Sequence, residues 1–406
     1  MGIQVFGDVV DFVNSDGSIS YSDLEKIISM PTVKPRFRIS VLRPDDTIDY
    51  EIPSEDIVES GISYTEEYQN GQRRNISLQL INSNGKYTPN INGIWLSTKF
   101  RFDIGLEIHN QTVWFPRGVY IMGDVSLTHN GGERTINIQL KDKFAILEGK
   151  MGTLENSYEI ERGSNIPDVI KELLHTPSGD GYCLDYSPPI FDAGLINKTT
   201  QSTIRVEEGG NLGEIIQQLA MQLSAEYYYN NVGNLCFYPI EETINDITKP
   251  TIWVFKELSS DVHTLSLNYK NEEVVNCVKV VGDNIDGRIH YASLLNENPS
   301  SPICVQRVGK RAAPKYNESN IWSDELAYDL AEYYLRQSSF LSIDFSCTVN
   351  FNPILTVNNI CEVENEFLDY EREKLLITSL SYSSGEGSMS LKLCNTSELP
   401  QNKPYK

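Results

Sequence analysis

At 406 residues the chain is long enough for roughly two to four domains, each burying its own core. A hydrophobic fraction of 40% and a charged fraction of 22% are those of a folded protein. The net charge of −22 repels phosphates and excludes sequence-specific DNA or RNA binding, and no run of 18 apolar residues exists to span a membrane.

In chain order, residues 1–35 read as an arm. The segment Ser22-Asp23-Leu24-Glu25-Lys26-Ile27-Ile28 predicts a short capped helix that ends before Pro31. Residues 36–150 read as β throughout. Phe37, Ile39 and Val41 alternate with polar residues, as do Ile76, Leu78 and Leu80, and Phe100, Phe102 and Ile104. A long hairpin is predicted from Val119 to Leu140 around the turn His129-Asn130-Gly131-Gly132. Residues 151–264 read as an α+β insert. One helix has Pro167 in its first turn, and a second is capped by Asn211 with Glu214 three residues on; the hairpin Tyr227–Phe237 follows. Residues 265–400 return to β structure with one helix from about Ser323. They close on a hairpin through the turn Ser383-Ser384-Gly385-Glu386-Gly387, and 401–406 is a tail. The two long hairpins are alike in length, turn composition and place, which suggests two β modules related by duplication.

Chemistry is sparse. The seven cysteines are odd in number and include no CxxC pair, which argues against a disulfide framework and a zinc site and for reduced, buried thiols. The N-terminus has neither a basic nor an apolar leader region, so no signal peptide is expected. Five dispersed histidines form no HExxH, and no GxSxG, GxxxxGK[ST] or GxGxxG occurs where a strand and helix would use it. No catalytic, cofactor-binding or metal residue is therefore assigned, and no cofactor is expected. Glu362, Glu364 and Glu366 alternate along a strand and share one face: a solvated sheet face, a catalytic cleft or the wall of an acidic channel would each use them. Asn14, Asp16, Gly17, Ser18, Ile19 and Asp23 match part of a calcium loop, but Phe12 stands at the first ligand position, so a turn into the capped helix explains them.

The ordered series of these features carries a resemblance over residues 36–400. It runs Gly61-Ile62-Ser63-Tyr64, Arg73-Arg74-Asn75-Ile76-Ser77-Leu78, Asn84-Gly85-Lys86-Tyr87-Thr88-Pro89, Gly118-Val119-Tyr120-Ile121 and Ile138-Gln139-Leu140-Lys141-Asp142-Lys143-Phe144. The helix at 211–220 and Gly233-Asn234-Leu235-Cys236-Phe237 follow; then come Glu273–Gly282, the helix at 327–331, Asn352-Pro353 and the closing hairpin. In this order the chain resembles the baseplate hub proteins of phage tails and related injection machines, whose module also forms the N-terminal part of siphophage tail-associated proteins. The resemblance implies a mainly β (α+β overall) protein with two tube-like β-barrel domains and an α+β insert between them. It implies a non-enzymatic homotrimer in the virion tail baseplate, assembled in the host cytoplasm. Its pseudo-sixfold ring would join the tail tube to the central tip and pass DNA through an acidic lumen. Expected partners are tail tube or distal tail ring proteins, a tape-measure protein and a central spike or fibre. Many relatives continue into a fibre or a peptidoglycan-cleaving domain, whereas this chain stops at Lys406, so those roles are expected of other subunits. The arm has no family counterpart and is expected to clasp a neighbour. A carbohydrate-binding or carbohydrate-active adhesion protein of the tail tip is the alternative.

Overall fold

The computed structural model describes residues 3–5, 8–10, 21–30, 33–91, 93–108, 110–177, 183–239, 250–256, 259, 261–269, 272, 274–285, 287–301, 303–318, 321–340, 343–365 and 370–395. A hairpin of β1 (Ile3–Val5) and β2 (Asp8–Val10) precedes α1 (Tyr21–Ile28). Seven strands follow: β3 (Arg36–Leu42), β4 (Ile48–Glu51), β5 (Ile57–Glu67), β6 (Arg74–Ile81), β7 (Lys99–Ile108), β8 (Gln111–Asn130) and β9 (Glu133–Asp142). The middle region holds α2 (Ala145–Glu148), β10 (Tyr158–Ile160), α3 (Ile166–Leu174), β11 (Ile190–Phe191), β12 (Ile204–Val206), α4 (Leu212–Leu223), β13 (Ala225–Tyr229) and β14 (Leu235–Pro239). The rest comprises β15 (Thr251–Lys256), β16 (Val262–Tyr269), β17 (Cys277–Ile285), β18 (Arg288–Leu295), α5 (Val305–Val308), β19 (Tyr316–Glu318) and α6 (Asp324–Phe340). It ends with β20 (Ile343–Asn350), β21 (Ile360–Asn365), β22 (Tyr370–Ser383) and β23 (Ser388–Asn395).

The protein is mainly β. Period-two alternation puts Ile76, Leu78 and Leu80, and likewise Phe345, Cys347 and Val349, on a buried face, and thirteen strands join into one sheet. Its path runs β16-β20-β23-β22-β5-β6-β9-β8-β7-β3-β4, with β21 on β22 and β15 on β21. The sheet curls, so that β7 returns over β5: Phe102 and Tyr64 stack at 6.1 Å although three strands separate them in the path. Two separate barrels were expected; among the described residues no pairing closes either half, and β5 pairs with β22 of the other half instead. Strand β15 and the first three residues of β16, which the sequence reading placed in the insert, pair within the large sheet.

The path contains the same six-strand order twice. In the first half it is β5-β6-β9-β8-β7-β3 and in the second β16-β20-β23-β22-β21-β15. The irregularities repeat too. The β8–β9 ladder slips between Met122 and Val125, and the β22–β23 ladder slips between Ile377 and Ser379, each with one extra residue on the first strand. One difference stands: β3 runs antiparallel to β7, whereas β15 runs parallel to β21.

Two smaller units sit on this frame. The first packs α3 and α4 against β13 and β14 through Ile170, Leu173, Ile216, Leu219 and Phe237. The second, β17, β18, β19 and α6, is inserted between β16 and β20 and has its own core of Val278, Val280, Ala327, Ala331 and Leu335. The arm's helix lies against its own chain: Leu24 and Ile28 belong to the main core, and the Asn350 amide donates to the Ile28 carbonyl at 2.9 Å.

Candidate functional site

Two strand edges in the sheet are open among the described residues. β8 pairs with β7 only from Gln111 to Ile121, and the Met122 amide makes a last bond to the Thr98 carbonyl. Beyond it, residues 124–130 have β9 on one side and no strand on the other. β16 pairs with β20 alone. Such edges offer unpaired amides and carbonyls, and isolated proteins usually guard them with lysine, proline or inward charges. Here β16 carries no Lys, Arg, Asp, Glu or Pro, and residues 124–130 carry one charge, Asp124. The same stretch of β8 leaves Leu127 55% exposed.

The face of the sheet turned away from the core is lined by hydroxyls and amides. Cross-strand pairing sets Thr264, Thr348, Ser390, Ser381, Thr65 and Asn75 in one row across six strands. A neighbouring row holds Ser266, Ser346, Lys392, Ser379 and Glu67, in which the Ser266 and Ser346 hydroxyls lie 2.7 Å apart. Lys392 and Glu67 are the charged residues of these two rows. Glu362 and Glu364 lie on β21 with parity opposite to the core residues Cys361 and Val363, and so on the outward face of the same sheet: Glu362 is half-buried and accepts a bond from the Thr251 hydroxyl at 2.7 Å, and Glu364 is exposed. Glu366 lies outside the described residues, as do Asn14, Asp16, Gly17, Ser18 and Ile19 of the partial calcium loop.

A buried ionic network fastens the α+β unit to the first half of the sheet. The Lys143 ammonium, fully buried, meets Asp46 and Asp185 at 2.6 Å each and donates to the Gly233 carbonyl at 3.2 Å. Tyr229 donates its hydroxyl to Asp185 at 2.7 Å. Arg73 pairs with Glu226 at 3.0 Å under the Tyr228 ring, and Asn358 also donates to Glu226. Arg74 pairs with Glu66 at 2.9 Å and donates to the Tyr229 carbonyl at 3.0 Å. Burial works against the Asp46 carboxylate, but Lys143 and Lys99 outweigh it and hold its pKa below the usual value. Burial pushes Asp142 up to about 6, against the pull of Arg74 and the Phe144 amide. The motifs Arg73-Arg74 and Asp142-Lys143 thus serve as rigid fasteners. Among the described residues no group of three or more His, Cys, Asp or Glu could hold a metal ion, and no helix is long and apolar enough to cross a membrane. Cys183 is half-buried and the other six cysteines are buried, all of them unbridged.

No protein-family model and no curated protein matches the chain. Solved structures do. The 43 kDa tail protein of prophage MuSo2 from Shewanella oneidensis superposes with a TM-score of 0.60 at 14% identity, covering 90% of this chain and 100% of its own. A tail protein from Neisseria meningitidis gives 0.60 at 10% identity, covering 89% and 99%. The prophage tail protein gp18 of Listeria monocytogenes gives 0.52 at 10% identity, covering 88% and 94%. The fold is that of phage tail proteins, as the ordered motifs implied.

Proposed function

We propose that the chain is a structural hub subunit of a phage or phage-like tail, without catalytic activity of its own. Three copies form a ring with six similar β modules, two per chain, each a tube-like domain completed by its neighbours. The ring joins the tail tube to the central tip in the virion baseplate and leaves a bore for DNA. Tail tube or distal tail ring proteins, a tape-measure protein and a central spike or fibre are its partners.

One observation carries this reading: two like six-strand orders are joined edge to edge through β22 and β5, and the counterparts of those two joined strands, β8 over residues 124–130 and β16, have open edges among the described residues. One edge of each kind makes a head-to-tail contact, and repetition of such a contact closes a ring or grows a filament. The hydroxyl and amide rows suit a bore: apart from Lys392 they offer no cation to hold phosphates by charge, and they expose no apolar surface. Light scattering on the purified protein tests the proposal. A particle of three copies of the 45.9 kDa chain is expected; a monomer that persists at high concentration, or a closed dimer, overturns it.

A further inference from the structure

We infer that β8 of one copy and β16 of the next pair antiparallel in one register, which sets Leu127 opposite the partner subunit's Leu267. This rests on the ring reading and adds to it the strands and residues that meet.

The register comes from the chain's own junction. There Tyr382 pairs with Tyr64, Ser381 with Thr65 and Ser383 with Ser63, and the two tyrosine rings stack at 4.6 Å. Each residue has a counterpart fixed by the ladders around it. Tyr382 faces Met389, which faces Val349; Leu127 faces Ile136, which faces Leu80. Tyr64 faces Ile76 as Leu267 faces Phe345. The β8–β9 and β22–β23 slips fall at the same step with one extra residue each, and the pairs used here from the β5–β6 and β16–β20 ladders lie on one side of the slips in those ladders, so the count is not displaced. Carrying the junction over gives Leu127 opposite the partner subunit's Leu267, Ser126 opposite the partner subunit's Asn268 and Thr128 opposite the partner subunit's Ser266.

The side chains agree with this placement. Tyr382 is 5% exposed in the formed junction, whereas its counterpart Leu127 is 55% exposed on the open edge. A leucine takes the tyrosine's place on each side, so a stacked aromatic pair becomes an aliphatic one. On the other face Ser126 and Thr128 extend the hydroxyl rows, so the polar lining continues unbroken across the contact. A shift of one residue would turn Leu127 into the polar face and is disfavoured for that reason.

Cysteine pairs read the register directly. Ser126→Cys with Asn268→Cys, and Thr128→Cys with Ser266→Cys, are expected to give oxidised covalent ladders that end at three chains. Ser126→Cys with Thr264→Cys, four residues out of register, is expected to give none, and neither is the parent chain, whose Cys183 is half-buried. Light scattering runs beside each sample. Trimers without cross-links at the two matched pairs, or with cross-links at the mismatched pair, overturn the register and leave the ring; a monomeric parent overturns both. Leu127→Asp, checked for native circular dichroism, is expected to raise the concentration for half-dissociation by roughly tenfold or more, since each contact loses a buried leucine. An unchanged dissociation curve would also overturn the register.

Discussion

Burial favours the neutral form of the Asp142 carboxyl, with its pKa pushed up to about 6 from an ordinary 3.8. A carboxyl raised on folding contributes stability below its unfolded pKa and loses it as the pH climbs through the folded one. Asp142→Asn is therefore expected to match the parent near pH 4 and to exceed it at pH 7.5 by on the order of 2 kcal/mol, read from urea unfolding at both values. An equal gain at both pH values, or a loss at pH 7.5, contradicts this. Lys143→Met leaves buried Asp185 without its cation and Asp46 with Lys99 alone, and is expected to cost about 3–5 kcal/mol by the same measurement; a cost under about 1 kcal/mol means the network is slack. Part of this network was legible in the sequence. Glu66 shares the parity of Ile62 and Tyr64, Arg74 that of Ile76 and Leu78, and Asp142 that of Ile138 and Leu140, so alternation alone turns all three charges toward the core. Their partners were not legible, because Asp185, Glu226 and Tyr229 come from a unit that only the tertiary fold brings alongside.

The elements with local signals form where the sequence placed them. Asn211 caps α4 by accepting from the Glu214 amide at 3.0 Å, and Asn165 caps α3 by accepting from Asp168 at 3.1 Å ahead of a buried apolar stripe. The β8–β9 turn uses Gly131 at φ 58° and Gly132 at φ 113°, the left-handed pair that a two-residue hairpin loop demands. Gly131→Asn should leave the thermal midpoint nearly unchanged, since asparagine tolerates that region. Gly132→Val should lower stability by at least about 1 kcal/mol in the same melt; equal midpoints for the two variants would mean the turn can rearrange freely. The strand order was less legible. β16 finds β20 only across the whole inserted unit of β17, β18, β19 and α6, and no local pattern announces a partner so far along the chain. The sequence reading accordingly saw one β region with a helix where a second small core exists. It also compared the two long hairpins without the strands that flank them. The repeat became visible once those neighbours, and the ladder slips they share, were in place.

At the scale of the molecule, the rows of the broad polar face are chiefly serine, threonine, asparagine and glutamine. If that face lines the bore, adding charge to it should make DNA adhere. Thr65→Lys with Ser381→Lys, directly opposite each other, is expected to retain duplex DNA on filters at low salt and release it as salt rises, while the parent retains none. Retention by the parent would place the DNA-facing surface elsewhere. The central claim is that one kind of edge-to-edge joint, made once within each chain and once between chains, builds the whole assembly. Electron cryomicroscopy of the purified oligomer tests it most directly. The account predicts a threefold ring of six similar modules in which the sheet runs without a break from β8 of each copy into β16 of the next. A particle in which those two edges face solvent, or in which copies meet through the α+β units instead, would contradict it.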